Sequence, residues 1–273
     1  MKLLAIDMDG TCLNSKRKLT DETLDALIKA KKEGVEIVPI TGRPFNFLPK
    51  SILENDLCRY VITSNGAYVY DLKENKILKE AIVPIEDAVE IINRCNKKYA
   101  GIAANIKEDY IYHGGLIKLI GRFVFGKEIT KVAIQVDDLA SYIKENNSSV
   151  GEIQMFYLSK KYENRIIEVV DEYKDLMLVH NGKCLEIFSK EATKGKALDL
   201  IIEKLNIKEE DVISIGDSEN DLTMFDHAGL KLAMGNAVEK LKELADHILP
   251  SNDDFGVKVA IERFILNNFT LKD

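Results

Sequence analysis

Two carboxylates, Asp7 and Asp9, stand two residues apart where the apolar run Leu3-Leu4-Ala5-Ile6 ends. Anions this close are unfavourable unless one holds a proton or a cation lies between them. Hard oxygen ligands of this kind suit Mg²⁺, which needs only one or two protein carboxylates. Gly10 follows and lets the chain turn. Taken by themselves, the same residues would also make an ordinary acidic surface turn.

Two further stretches end in comparable chemistry. Thr41-Gly42-Arg43-Pro44 follows an apolar run at 35–40, and a hydroxyl, a glycine and an arginine there form an anion-binding turn or a plain strand–helix loop. Gly216-Asp217-Ser218-Glu219-Asn220-Asp221 follows a short buried run at 211–215. Lys194 opens the helical stretch before it and offers a positive charge. Each segment alone says little, and their order along the chain says more.

These segments must sit at the ends of strands. Residues 3–6, 35–40 and 211–215 read as short buried strands, each followed by a helical pattern. Thr20 caps the first helix, whose stripe is Leu24, Leu27 and Ile28; Gly34 ends it. A helix over 194–205 turns Leu198, Ile201, Ile202 and Leu205 inward. In an open parallel sheet, ligands bind beyond the carboxyl ends of the strands. Asp7, Asp9, Thr41, Gly42 and Asp217 therefore converge if their strands are neighbours.

The alternation gives way to antiparallel hairpins near residue 80. Ser64-Asn65-Gly66 reads as a hairpin turn between strands at 60–63 and 67–70, with another strand at 77–82. From 84 to 187 the pattern is a helix with Ala88, Ile91 and Ile92 inward, then a strand pair at 102–106 and 110–112. Strands at 131–136 and 152–158 follow, each with a helix after it, around 139–144 and 164–173. A hairpin crosses Asn181-Gly182. That order predicts an open α+β sheet with helices on one face. The fold expected is α/β: a doubly wound parallel-sheet core, residues 1–83 and 188–273, with an inserted α+β domain at 84–187.

The apolar fraction of 46% supports a real core, and a net charge of −7 argues against a nucleic-acid face. Cys12, Cys58, Cys95 and Cys184 lack zinc spacing and read as reduced thiols. No leader or membrane-spanning run is evident, so a cytoplasmic protein without membrane or obligate protein partner is expected.

Asp7-Met8-Asp9-Gly10-Thr11, Thr41-Gly42-Arg43, Lys194-Gly195 and Gly216-Asp217-Ser218-Glu219-Asn220-Asp221 resemble the four motifs of the haloacid dehalogenase superfamily. Ser64-Asn65-Gly66-Ala67 and the insertion after it resemble the Cof-type branch, which carries a large α+β cap between the second and third motifs. The similarity spans nearly the whole chain.

The resemblance implies a Mg²⁺-dependent phosphatase acting through an aspartyl phosphate on a small phosphorylated metabolite such as a sugar phosphate. Asp7 would be the nucleophile and Asp9 the acid–base. The metal would take Asp7, Asp217 and the Asp9 backbone carbonyl. Thr41, the Gly42 and Met8 amides, Lys194 and Asn220 would hold phosphate, with Asp221 behind them orienting Lys194 or a metal-bound water. Lys196 is the rival lysine, set aside because the pattern places the lysine directly before Gly195. A phosphosugar mutase of the same superfamily and a non-catalytic Mg²⁺-dependent phosphoacceptor are the alternatives. His113, His180, His227 and His247 lie outside the motifs. His113 and Arg122 are polar cap positions expected to influence substrate choice. Tyr110, Tyr112, Phe123 and Phe125 are expected in the cap core, and Lys29, Lys31 and Lys32 on a solvated helix face.

Overall fold

The opening apolar run becomes strand β1 (Leu3–Asp7), every residue of which is buried. Such a strand has sheet neighbours on both sides and helices on both faces. Here β12 (Val212–Gly216) and β2 (Glu36–Ile40) pair with it in parallel, Ala5 lying opposite Ser214 on one side and Val38 on the other. The structure, a computed structural model, describes residues 1–54, 56–95, 101–114 and 132–267. The chain divides into two compact units, one of residues 1–42, 48–79 and 193–273, the other of residues 43–47 and 80–192.

The first unit is built on an eight-stranded sheet in the order β14-β13-β12-β1-β2-β3-β4-β5. Its remaining strands are β3 (Tyr60–Thr63), β4 (Tyr68–Asp71), β5 (Lys76–Glu80), β13 (Leu230–Ala233) and β14 (His247–Ile248). From β1 the chain adds β2 and β3 in one direction and, much later, β12 and β13 in the other. The order therefore reverses at β1, the position where open α/β sheets bind ligands.

Helix α1 (Asp21–Lys32) starts as its sequence dictates. The Thr20 hydroxyl accepts the Thr23 amide, acidic Asp21 and Glu22 lie in the first turn, and Lys29, Lys31 and Lys32 in the last. Its buried face is Thr23, Ala26, Leu27 and Ala30, while Leu24 and Ile28 are only half-buried. The expected leucine–isoleucine stripe is thus rotated, because small side chains let this helix lie close to its neighbours. Lys29 and Lys32 are exposed, and Lys31 pairs with Glu36 at 3.1 Å.

The second unit carries a six-stranded sheet in the order β10-β11-β9-β6-β7-β8. The strands are β6 (Gly101–Ile106), β7 (Asp109–His113), β8 (Ile134–Gln135), β9 (Val150–Phe156), β10 (Leu176–Asn181) and β11 (Cys184–Ser189). Neighbours are antiparallel except β7 and β8. After the short α2 (Lys50–Leu53) of the first unit, helices α3 (Ile85–Cys95), α4 (Leu139–Glu145) and α5 (Lys160–Val170) share one core with Ile102, Ala104, Ile153, Met155, Leu185 and Ile187. Alternate residues of the same strands point away from those helices, and there Phe47, Ala103, Tyr110, Tyr112, Phe156 and Cys184 form a second cluster.

Three sequence expectations shift. Helix α5 begins at Lys160 rather than 164, because its first turn is charged, with Lys160 paired to Glu163 at 2.8 Å, and hides the apolar period. The strand expected over 131–136 is limited to Ile134–Gln135 among the described residues, and Lys131, Arg122, Phe123 and Phe125 lie outside them. Segment 43–47 clusters with the second unit, Phe47 packing on Tyr110 with ring centres 5.5 Å apart. The four cysteines are buried and free. Among the described residues, no helix is long and apolar enough to cross a membrane.

Candidate active site

The carboxyl ends of β1, β2 and β12 are adjacent, so Asp7, Thr41 and Asp217 leave the sheet side by side. Asp7 is 4% exposed, Lys194 1% and Asp221 fully buried. Lys194 is the first residue of α6 (Lys194–Leu205), which begins where Thr193 accepts the Lys196 amide. Its ammonium donates to Asp7 Oδ1 and to Asp221 Oδ1, both at 2.6 Å. Lys196, the rival, is exposed.

Asp221 has little left to offer a ligand. Its Oδ2 accepts the Asp217 amide at 2.9 Å and the Ser218 amide at 3.0 Å, closing a capping box at the turn that carries Asp217. Asp217 Oδ1 accepts the Thr11 hydroxyl at 3.1 Å. Gly10 makes that approach possible: its φ is +80°, and a Cβ there would lie 2.3 Å from Asp217 Oδ2.

Asp7, Asp217 and Asp221 each present a carboxylate oxygen, all within 4.8 Å of one another. Three carboxylates thus face one ammonium. Burial raises the Asp7 pKa well above the usual carboxylate range; Lys194 pulls it down, and Asp221 and Asp217 push it up again. Burial, then Asp221, pushes Asp217 up to about 6. Burial also works against the Lys194 charge, but Asp221 and Asp7 overcome it and hold the lysine above its ordinary value. Asp7 Oδ2 is buried without a hydrogen-bond partner. A partnerless carboxylate oxygen beside excess negative charge fits a hard divalent cation, with Asp7 and Asp217 as its carboxylates.

Asp9 is exposed and its carboxylate is outside the three-carboxylate cluster. Met8 is buried, its carbonyl accepting the Leu13 amide at 2.8 Å. Thr41 is buried; its amide donates to Ile62 O and its carbonyl accepts the Asn65 amide, both at 3.0 Å. Asn220 is exposed and bonded to Ser218 and Asn65. The histidines are elsewhere: His180 is beside Glu163, His227 beside Asp199, His247 stacks on Phe264, and His113 ends β7.

Sequence reasoning gave no role to Thr11, Asn65 or Asn236. Asn236 donates to the Gly10 carbonyl at 2.8 Å and so holds the turn that follows Asp9. Its signal was Gly235-Asn236 just after the apolar run of β13, a fourth strand end finishing in a polar turn.

Residues 4–261 match the family model described as haloacid dehalogenase-like hydrolase. Phosphatase YwpJ of Bacillus subtilis is 31% identical, the match covering 94% of this chain and 97% of that protein. The 5-amino-6-(5-phospho-D-ribitylamino)uracil phosphatase YcsE of the same organism is 28% identical over 97% of this chain and 96% of its own. Among solved structures, the subclass IIB sugar phosphatase BT4131 superposes with a TM-score of 0.80 at 26% identity, covering 97% of this chain and 99% of that one.

Proposed function

This chain belongs to the haloacid dehalogenase-like hydrolases and is a phosphatase, and we propose that it hydrolyses a small phosphomonoester, a sugar or polyol phosphate, through a phosphorylated Asp7 with Mg²⁺ as cofactor. The observation that carries this reading is Asp7 itself. It is buried at the sheet's switch point, with one oxygen held by Lys194 and the other partnerless beside Asp217. The polyol class is supported by YcsE, named for a ribityl phosphate, and the sugar class by BT4131, described as a sugar phosphatase.

Asp7 and Asp217, with the Asp9 backbone carbonyl, would hold the metal. When bound, Mg²⁺ neutralises charge on the phosphoryl oxygens and favours the ionised form of Asp7. In the first step a carboxylate oxygen of Asp7 bonds to phosphorus. The ester P–O bond breaks, and Asp9 gives its proton to the departing oxygen. In the second step water attacks phosphorus, its proton passes to Asp9, and the bond to Asp7 breaks, releasing phosphate and restoring Asp7 as a carboxylate and Asp9 as a carboxylic acid. Lys194, Thr41, the Gly42 and Met8 amides and Asn220 meet the phosphoryl oxygens, while Asp221 fixes Lys194 and the turn of Asp217.

We assign the choice of ester to residues of the second unit. Four buried, free cysteines fit a reducing, cytoplasmic setting. Phosphate release across a panel of sugar, polyol and short-acid phosphates, with Mg²⁺ and with chelator, tests the reading. Metal-dependent preference for sugar or polyol esters supports it, and equal release in chelator overturns it.

A further inference from the structure

The hairpin tip between β3 and β4 is shaped for more than a turn. Ser64, Asn65 and Gly66 all have positive φ, at 48°, 56° and 101°. Asparagine and glycine tolerate this region, whereas serine does so at a cost. The Thr63 and Ser64 hydroxyls are buried without partners, a second local cost. Such costs persist where the surroundings dictate the conformation.

Those surroundings are the candidate site. The Asn65 amide donates to Thr41 O, and its side chain lies against Gly42, where a Cβ would sit 3.1 Å from Asn65 Oδ1. Gly66 packs on the residue before Lys194: a Cβ at Gly66 would lie 2.2 Å from Thr193 O. The tip is therefore seated between the end of β2 and the start of α6, both of which supply phosphate-binding groups in the proposed reaction.

Asn65 also touches a third group. Asn220 donates from Nδ2 to Asn65 Oδ1 at 3.0 Å, and Asn220 Oδ1 accepts the Ser218 hydroxyl at 2.8 Å. An exposed asparagine otherwise rotates freely, and these two bonds fix both ends of its amide. The nitrogen carries two N–H groups, and the bond to Asn65 uses one. We propose that Asn65 is a positioning residue for phosphoryl transfer: it holds the Asn220 amide so that the second N–H points at a phosphoryl oxygen. The inference rests on the reading of Asn220 as a phosphate-binding residue.

The test uses the full chain with Mg²⁺ and nitrophenyl phosphate, comparing Asn65→Gly, Asn220→Ala and the double variant by kcat/KM and thermal midpoint. Glycine adopts φ +56° without strain, so Asn65→Gly keeps or raises the midpoint. It nevertheless lowers kcat/KM by about three- to tenfold, the scale of one oriented hydrogen bond. Asn220→Ala lowers it at least as much. The double variant is no worse than Asn220→Ala, because Asn65 acts through that amide. Unchanged kcat/KM in Asn65→Gly, beside a loss in Asn220→Ala, overturns the inference and leaves the phosphate reading standing. Additive losses in the double variant also overturn it. Unchanged kcat/KM in Asn220→Ala overturns the phosphate reading of Asn220 itself.

Discussion

The Lys194 ammonium lies 2.6 Å from Asp7 Oδ1, although 187 residues separate the two in the chain. Both are almost wholly buried, and the same ammonium reaches Asp221. One cation thus ties the first strand of the sheet to the turn after β12, through groups that cannot turn to water instead.

Removing that cation should be costly. Lys194→Met leaves two buried carboxylates without their counter-charge, which costs roughly 3–5 kcal/mol. Urea unfolding in chelator should show a loss of this size. A loss under about 1 kcal/mol, the worth of an exposed pair, would show that the bridge is not buried in solution.

Metal affinity should depend on pH through Asp217. Its carboxyl is pushed up to about 6, so it holds a proton below that pH and must release it to bind a cation. The Mg²⁺ concentration for half-maximal rate should rise as pH falls through 6, by about tenfold per unit for one proton. Asp217→Asn should bind Mg²⁺ far more weakly at every pH. A pH-independent requirement would take Asp217 out of the metal set.

Glu152 offers a separate pH signature, in the second unit. Burial, then the charge of Glu186, pushes its carboxyl up to about 8, against amide hydrogen bonds from Gln154 and Asn105. Its unfolded value is near 4.5, so the native state holds the extra proton between these values. Its contribution to stability is therefore full below about 4.5 and lost as pH rises through 8. Glu152→Gln should flatten the fall in thermal midpoint between pH 5 and 8, since it stays neutral and Asn105 Oδ1, otherwise partnerless, can accept its N–H. An unchanged slope would assign the effect to another group.

Asp9 should distinguish esters by leaving group. An aryl oxygen departs with little protonation, whereas an alkyl oxygen needs an acid. General acid–base help is worth roughly 10²–10⁴-fold, so Asp9→Asn should slow phosphoenzyme formation from sugar phosphates by much more than from aryl esters. Equal losses with both would make Asp9 a structural or metal-site residue.

The strand ends were readable because β1 and β12 are short apolar runs closed by acidic residues. Helix α6 was readable from its cap, Thr193. The contacts across chain distance were not readable. Nothing in Ser64-Asn65-Gly66 beyond a turn signal shows that it seats against Gly42 and Thr193. Phe47 clusters with Tyr110 in the second unit because of tertiary packing, which a local apolar pattern does not encode. The face of α1 departs from its apolar pattern for a related reason: Thr23, Ala26 and Ala30, which give a weak periodic signal, are buried beside Leu27, while Leu24 and Ile28 are half-buried.

Asp7 is the proposed phosphoryl carrier. Asp9→Asn should form the phosphoenzyme from an aryl phosphate and hydrolyse it slowly, since no base activates water. Rapid mixing with labelled aryl phosphate and Mg²⁺, acid quench and peptide mapping should place the label on Asp7 within one turnover. Steady turnover with no acid-trapped label, or label on any other residue, would contradict it.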